Sequence, residues 1–571
     1  MASSHQEESL LIRTDAGGLI GTGHVMRMIA LAQAWQDRLL VDGKRLSVAG
    51  DESPVVFICA RLPEALEKRL QDEGFEVVRI DAERGSAADV QATLRVVGSR
   101  FPVVGNRSSE SDSNDSARDQ LPNTEPGEPN TEHRALKTDH RARTTENRTW
   151  LVTDGYHFDC AYQKAIKAVG CSLLCVDDHG YCDRWCCDAI LNQNLDAEKT
   201  FRYDNDVPEA KYLLGSSYCL LRREFLQTPT ERKPWRQIKR LLVTLGGSDP
   251  ENATGATLQL LDAACERSLS IRVLAGVDNP HLEQLNALES HHTIEVLTKV
   301  TDMPAQYAWA DGILSAGGST CWEWLHAGLP GAIVTIAENQ LPIVQALTGA
   351  RRAALPLGWF QEFDPDTLGP PLAVWLEAPE SVTDQDATRK LIDGSGALRV
   401  TQELREEKFF LRPALPLDCQ RVWEWMNDAT VRQMSFQSDP IPWETHCRWW
   451  NAKVKDASTW LQMAENNQVG TFAVIRCERK EFSNEAIVSV ALSPQSRGHG
   501  LGAKFIHRAT LQFLNKSGLR KILAYTKEEN QASIKAFQKA GYSPPEPAQV
   551  GKTKACVLTF ELSNYFNSYG T

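Results

Sequence analysis

Ile12-Arg13-Thr14-Asp15-Ala16-Gly17-Gly18-Leu19-Ile20-Gly21-Thr22-Gly23-His24-Val25-Met26-Arg27-Met28 is the stretch whose reading decides the fold. It continues a short apolar run, residues 9–13, that reads as a first parallel strand. Val25, Met26, Ile29, Ala30 and Ala34 then recur at helical spacing, so a helix begins near His24. Between strand and helix lies a glycine-rich turn, which exposes backbone N–H groups at a positive helix end to an anionic ligand. His24 falls on the first helical turn, beside such a ligand. The same residues also read as an ordinary strand–turn–helix with a capping or packing histidine. They are not a dinucleotide fingerprint, because the G-x-G-x-x-G spacing is absent.

Working outward, 571 residues predict three domains, since single cores seldom grow past about 250–300 residues. A net charge of −12 argues against bulk nucleic-acid or anionic-membrane binding, so local sites must hold any anionic ligand. No run approaches the 18 or so apolar residues of a spanning helix, and the start is polar and acidic, which makes cytoplasm the expected compartment. The 14 cysteines follow no disulfide framework. Their dense group, Cys171, Cys175, Cys182, Cys186 and Cys187 with His179 nearby, lacks a C-x-x-C pair. It reads as buried free thiols, with a zinc site as the competing account.

Residues 9–100 alternate apolar strands (55–59, 77–80) with helical runs (63–73, 87–97), a doubly wound α/β pattern. From 105 to about 148 the chain is polar, without aromatic residues, and reads as a disordered insertion. Trp150-Leu151-Val152-Thr153-Asp154 resumes the sheet and ends in Asp154-Gly155-Tyr156, at a strand edge where open α/β sheets place ligands. Leu173-Leu174-Cys175-Val176-Asp177-Asp178-His179-Gly180 repeats the device. A second α/β unit opens at Arg240-Leu241-Leu242-Val243-Thr244-Leu245-Gly246-Gly247-Ser248-Asp249-Pro250 and runs to roughly 400. It carries Ser315-Ala316-Gly317-Gly318-Ser319-Thr320, then Glu323, then Ala337-Glu338-Asn339-Gln340. Gly317, Gly318 and Ser319 offer donors to a diphosphate, and Glu323, one turn into a helix, can accept from both hydroxyls of a ribose.

Together, Gly21-Thr22-Gly23-His24-Val25-Met26-Arg27, Asp154-Gly155-Tyr156, Leu214-Gly215-Ser216-Ser217-Tyr218-Cys219-Leu220-Leu221-Arg222, Gly246-Gly247-Ser248-Asp249-Pro250 and Ala337-Glu338-Asn339-Gln340 occur in an order that resembles the UDP-sugar hydrolases of the pseudaminic acid pathway, relatives of the GT-B glycosyltransferases. The resemblance covers about residues 9–370 apart from the insertion. It implies a GT-B fold and metal-independent removal of UDP from UDP-2,4-diacetamido-2,4,6-trideoxy-β-L-altropyranose. It implies His24 as the catalytic residue, with Tyr156 and Asn339 facing the sugar. Gly155 departs from the pattern, which has a larger residue there, often histidine. The chemistry needs a base for water and fixed donors for the leaving diphosphate. His24 is the expected base and Asp15 its expected orienting acid. Gly21, Gly247, Ser248, Gly318, Ser319, Glu323 and Gln340 make the UDP-binding set.

A further domain opens at Phe409-Phe410-Leu411-Arg412-Pro413, with a helix over 418–427. Ile487-Val488-Ser489-Val490-Ala491-Leu492-Ser493-Pro494-Gln495-Ser496-Arg497-Gly498-His499-Gly500-Leu501-Gly502-Ala503-Lys504 leads a strand into a basic glycine-rich turn and an amphipathic helix, a cradle for pyrophosphate. Residues 522–525 form a strand, and Asn530 and Ser533 open the next helix. This order resembles the GNAT acetyltransferases over about 409–562, with Arg497-x-x-Gly500-x-Gly502 as the acetyl-CoA motif. Leu492, Arg497, Gly498, Gly500, Gly502, Ala503 and Asn530 are the acetyl-CoA-binding candidates. Trp425-x-Asn427-Asp428 and Glu444-x-His446-x-x-Trp449-Trp450 look like the branch that acetylates the 4-amino group of the same UDP-sugar. Phe537 stands where many GNAT enzymes have a tyrosine acid. Tyr525 or Tyr542, and Glu444 or His446, stay open as acid and base.

The expected architecture is α/β: a GT-B-like pair of Rossmann-like domains, 1–235 and 236–402, followed by an α+β GNAT acetyltransferase domain, 409–565. The expected ligands are a UDP-sugar and acetyl-CoA as co-substrate, with no metal, nucleic acid or membrane. The alternatives are a GT-B glycosyltransferase fused to a protein or amino-sugar N-acetyltransferase, and a non-catalytic nucleotide-sugar sensor.

Overall fold

The computed structural model describes residues 9–17, 21–41, 53–100, 149–207, 210–227, 234–349, 351–405, 409–466, 470–480 and 483–561; the polar insertion lies outside these residues. Leu10–Thr14 (β1), Val55–Cys59 (β2), Glu76–Arg79 (β3), Trp150–Asp154 (β4), Ser172–Val176 (β5), Ala189–Asn192 (β6) and Lys211–Leu214 (β7) pair in parallel in the order β3-β2-β1-β4-β5-β6-β7. β1, β2, β4 and β5 are buried along their whole length, as continuous apolar runs require when helices cover both faces of a sheet. Arg240–Thr244 (β8), Ser270–Leu274 (β9), Thr293–Leu297 (β10), Gly312–Ala316 (β11), Gly331–Thr335 (β12) and Ala354–Trp359 (β13) form a second parallel sheet in the order β10-β9-β8-β11-β12-β13. Both sheets reverse direction of growth between their first and fourth strands. Ligands of doubly wound sheets bind at that switch point, beyond the carboxyl ends of the strands.

Into the apolar first layer β1 carries an arginine. Arg13 is fully buried and is held by Asp89 at 2.9 and 2.8 Å and by Asp15 at 2.8 Å. A charge so placed persists only when paired. Asp15 also accepts from the backbone N–H groups of Ala60 (2.7 Å) and Arg61 (2.8 Å), tying the end of β1 to the end of β2.

The helix Gly396–Leu404 returns from the second unit to the first: Ala397, Val400 and Leu404 join the core built on the helix Gly23–Val41, and Trp150 Nε1 donates to Leu404 O at 3.0 Å. The third sheet is mixed. Phe410–Pro413 (β14), Thr459–Asn466 (β15), Gly470–Arg479 (β16), Glu485–Leu492 (β17), Lys521–Lys527 (β18), Glu546–Val550 (β19) and Thr553–Glu561 (β20) are ordered β14-β15-β16-β17-β18-β20-β19, with β17 and β18 parallel and the other pairs antiparallel. All 14 cysteines are free. Among the described residues no helix is long and apolar enough to cross a membrane.

The third sheet is fastened to the returning helix by one shared carboxylate. Glu465 on β15 pairs with Arg399 of that helix and, at 2.8 Å, with Arg412 of β14. Arg399 also reaches Asp393 and the Ser217 carbonyl, and Arg412 makes 2.8 Å bonds to both oxygens of Asp418. Burial opposes the charge on both arginines, and their carboxylates outweigh it. Glu465→Ala leaves two buried guanidinium groups each short of one partner. We expect a loss of about 1–3 kcal/mol and a calorimetric trace that splits into two transitions. One transition at the wild-type midpoint would refute this role.

Candidate active sites

At the switch point of the first sheet, the helix start after β1 and the ends of β4 and β5 bring together five side chains. His24 Nδ1 lies 2.7 Å from Asp154 Oδ1. Two bare acceptors at that distance would repel, so Nδ1 carries the proton and donates it, leaving the Nε2 lone pair free. Asp154 accepts as well from Arg27 Nε at 2.7 Å and Arg27 NH2 at 2.5 Å. Arg27 NH1 spans both oxygens of Asp178 at 2.7 and 2.9 Å, and Tyr156 OH donates to Asp178 at 2.8 Å. Burial works against ionisation of Asp154, but the charge of Arg27 and the hydrogen bonds from Arg27 and His24 prevail and hold its carboxyl well below the usual range. Burial, with Asp178 beside it, pushes the Tyr156 phenol up, so it stays a donor.

Tyr156 stands edge-on to His24 (5.1 Å between centroids) and to His179 (4.4 Å), and is 38% exposed, so it forms an open aromatic wall beside the imidazole. Gly155 explains the departure seen in the sequence. A Cβ there would fall 2.7 Å from His157 Cε1 and 3.1 Å from Phe158, so His157 already fills the space. Asp15, expected to orient His24, does not do so: Arg13 and two backbone amides occupy its oxygens. The acid bonded to His24 is Asp154.

Gly23 faces the second unit. A Cβ on it would lie 3.6 Å from Ser319 Oγ, so the turn bearing His24 meets the glycine loop after β11 across the two sheets. Gly21 takes φ +71° and has open space around it. Ser319 is exposed at the start of the helix Thr320–Ala327, Gly318 is half-buried and Gly317 is buried. A Cβ on Gly317 would meet Val344 at 2.5 Å and Gln340 Cβ at 3.3 Å, which sets this loop against the turn Glu338–Gln340. Gln340 Oε1 accepts from Ile336 N–H at 3.1 Å, while Asn339 is exposed on the same rim. Gly247 and Ser248 are exposed beyond β8; the Gly247 carbonyl accepts from Gly276 N–H at 2.9 Å, and Asp249 caps the helix Ala253–Ala264 through Ala253 (2.8 Å) and Thr254 (2.9 Å). Glu323 is held by Arg222 at 3.2 Å and by Tyr307 OH at 2.9 Å, and burial raises its carboxyl. Arg222 comes from the first unit, so this pair also braces the two units.

In the third sheet β17 and β18 pair only from Glu485↔Lys521 to Val488↔Ala524, yet both strands continue, to Leu492 and Lys527. Their far edges stay bonded to β16 and β20. The result is a wedge whose inner edges carry unpaired backbone groups, able to take an extended amide-bearing chain as an added strand. At its end, Gly498 (φ +83°) and Gly500 (φ +73°) turn the chain into the helix Leu501–Ser517 in a conformation that other residues adopt only under strain. Arg497 reaches Leu492 O at 3.2 Å and Asp428 at 2.8 Å, so its charge is shared with an acid that the sequence motif contained but did not pair with it. Gly502 packs on Leu492, with a Cβ position 3.3 Å from Leu492 Cδ2; Ala503 follows in the first turn. Asn530 caps the helix Gln531–Lys539, accepting from Ser533 N–H at 3.1 Å. His446 is buried, bonded at 3.1 Å to Cys419 O and enclosed by Trp443, Trp449 and Trp450, which is a packing role; Glu444 is exposed.

The cysteine group around residue 175 makes no cluster of three metal ligands among the described residues; such a cluster occurs at Asp262, His291 and His292. What the sequence reading missed at the first site were Arg27 and Asp178 as partners of the dyad. The signal available was a pair of acids, Asp154 and Asp178, at the carboxyl ends of neighbouring strands.

Comparison with known proteins assigns the third sheet. Residues 408–543 match the family model of the acetyltransferase (GNAT) domain. The chain is 22% identical over 396 residues to an uncharacterized protein of Methanocaldococcus jannaschii, across 67% of this chain and 78% of that one. It is 25% identical over 195 residues to the spore coat polysaccharide biosynthesis protein SpsG of Bacillus subtilis, across 34% of this chain and 57% of that protein. Among solved structures, the spermidine N-acetyltransferase of Vibrio cholerae in complex with CoA and spermine matches at 17% identity and a TM-score of 0.26, covering 28% of this chain and 99% of that one. The chain therefore carries a GNAT acetyltransferase domain behind two parallel α/β sheets.

Of the two tyrosines left open, Tyr542 is buried with its hydroxyl 2.7 Å from Thr510 Oγ1, whereas Tyr525 is half-buried at the first position past the last β17–β18 pair. Acetyl-CoA-dependent turnover should fall about 10²-fold or more in Tyr525→Phe and stay near wild type in Tyr542→Phe. Equal kcat values in the two variants, followed by thiol release, would remove Tyr525 as the acid.

Proposed function

We propose that the two parallel sheets together hydrolyse UDP-2,4-diacetamido-2,4,6-trideoxy-β-L-altropyranose, and that the GNAT domain makes this substrate by acetylating the 4-amino group of UDP-4-amino-4,6-dideoxy-N-acetyl-altrosamine with acetyl-CoA. The observation that carries the hydrolytic half is the 2.7 Å bond from His24 Nδ1 to buried Asp154. It leaves Nε2 as a proton acceptor next to the tyrosine wall. The oxygen of water bonds to carbon one as His24 Nε2 takes its proton. The bond from that carbon to the diphosphate oxygen breaks, and UDP leaves with the electron pair. Donors at Gly21, Gly247, Ser248, Gly318 and Ser319 face the developing charge, as an oxyanion site requires.

The charges of the dyad favour this step. Asp154 and Asp178 together outnumber Arg27 by one negative charge, and the imidazolium that forms on His24 cancels it. Glu323 keeps lone pairs beyond those given to Arg222 and Tyr307, and these meet the ribose hydroxyls. Asn339 and Tyr156 border the sugar, and Gln340 holds the loop beside it. In the GNAT domain the wedge takes the pantetheine arm of acetyl-CoA and the glycine turn its pyrophosphate, with Leu492, Arg497, Gly498, Gly500, Gly502, Ala503 and Asn530 around them. A covalent link between the two activities raises the effective concentration of the shared intermediate.

The test uses the full chain, the diacetamido substrate and 18O-labelled water, with no acceptor. UDP and free sugar should appear in equal amounts, with the label on the sugar. His24→Ala should lower the rate by about 10²–10⁴-fold while UDP still binds. UDP release only when an acceptor sugar is supplied would instead make the sheets a glycosyltransferase. Wild-type turnover in His24→Ala would overturn the assignment of the base.

A further inference from the structure

The cluster of Asp262, His291 and His292 lies away from both sites. Asp262 is in the last turn of the helix Ala253–Ala264, and the histidines precede β10, at the amino ends of the strands and so opposite the rim that bears the glycine loops. One ligand atom from each residue falls within 4.8 Å of the others. His291 Nδ1 is 3.3 Å and His292 Nε2 3.7 Å from the same oxygen, Asp262 Oδ1.

Hydrogen-bond accounting shows what is missing there. His291 Nε2 donates to the Cys265 carbonyl at 2.6 Å, so in the neutral ring Nδ1 is a bare lone pair facing a carboxylate oxygen. That arrangement calls for a positive charge between the two. A proton on His291 would serve this pair but would do nothing for His292. The His292 side chain is fully buried and its Nε2 has no hydrogen-bond partner, though it points to the same place. An orphaned buried ring nitrogen costs about 1–3 kcal/mol.

We propose that Asp262, His291 and His292 form a structural site for a divalent cation of the zinc type, with water as fourth ligand. Two ligands on a tetrahedral zinc ion at about 2.0–2.1 Å stand about 3.3–3.4 Å apart, which is close to the two distances seen. The bond from His291 to the Cys265 carbonyl is the outer support that fixes a ligating imidazole. Ser290 Oγ orients the carboxylate, donating to Asp262 at 2.6 Å while accepting from His292 N–H at 3.0 Å. The carboxyl end of a helix, with its partial negative charge, favours a cation. Ligation through Nε2 moves the His292 proton to Nδ1 and gives up its 3.4 Å contact with Leu269 N–H. The ion would clamp the start of β10 to the end of the helix and take no part in either reaction.

The untagged full chain, stripped with chelator and then given zinc, should retain one equivalent after dialysis, and zinc should raise its unfolding midpoint. Cobalt should give a tetrahedral spectrum without thiolate charge transfer. His291→Ala, at a partly exposed position, and Asp262→Asn should each weaken binding by about tenfold or more and abolish the shift. No retained metal in the wild type, unchanged binding in both variants, or a thiolate spectrum would each overturn the proposal.

Discussion

The first site depends on one buried carboxylate held by a guanidinium and an imidazole. Asp154 is shielded from solvent, and its ionised form persists because Arg27 grips both oxygens while His24 takes one. That arrangement decides the tautomer of His24 and the direction in which its free nitrogen faces. It also explains why the arginine is three residues after the histidine. Positions 24 and 27 are neighbours on one helical face, so both side chains reach the end of β4 from the same turn. Asp178 then anchors the other end of the guanidinium and takes the Tyr156 hydroxyl, so that base, acid, cation and aromatic wall are one bonded unit.

The same helix, Gly23–Val41, is held from behind. Val400 and Leu404 of the returning helix pack into its core cluster, and Glu465 on the GNAT side binds the arginine of that returning helix. The two candidate sites therefore stand on a common frame rather than on a loose tether. Arg223, which follows the first unit's last strand, adds bonds to Asp37 at 3.1 and 2.9 Å. Each device joins segments far apart in sequence, and the Glu465–Arg399 pair is ionic with little exposure, which fixes geometry more than it adds net stability.

The fold was largely legible because parallel strands buried on both faces leave continuous apolar runs, as in Val55–Cys59 and Trp150–Asp154. The short strands Ala189–Asn192 and Lys211–Leu214 were not, since four residues carry too little pattern to separate strand from loop. Nor was the return of Gly396–Leu404 to the first unit, because amphipathicity says that a helix is covered and not what covers it. His24 and its turn were legible from glycine spacing. The choice between Asp15 and Asp154 as its partner was not: proximity in sequence favoured Asp15, while the buried Arg13 had already claimed it. A buried arginine two residues before an acid was the clue available.

The two arginines in the first unit show why residue type alone did not settle roles. Arg13 and Arg27 are both buried and both bridge two carboxylates. Arg13 sits inside the sheet, its guanidinium 5.3 Å from the Phe158 ring centroid, and its partners have nothing further to offer a ligand. Arg27 sits one turn into a helix at the open edge, and its partners extend to an imidazole with a free nitrogen and to a phenol on the surface. The physical difference is position relative to the carboxyl ends of the strands. There the side chains stand at an open rim where doubly wound sheets take ligands, and a buried charge network holds an imidazole beside an exposed phenol rather than closing a core.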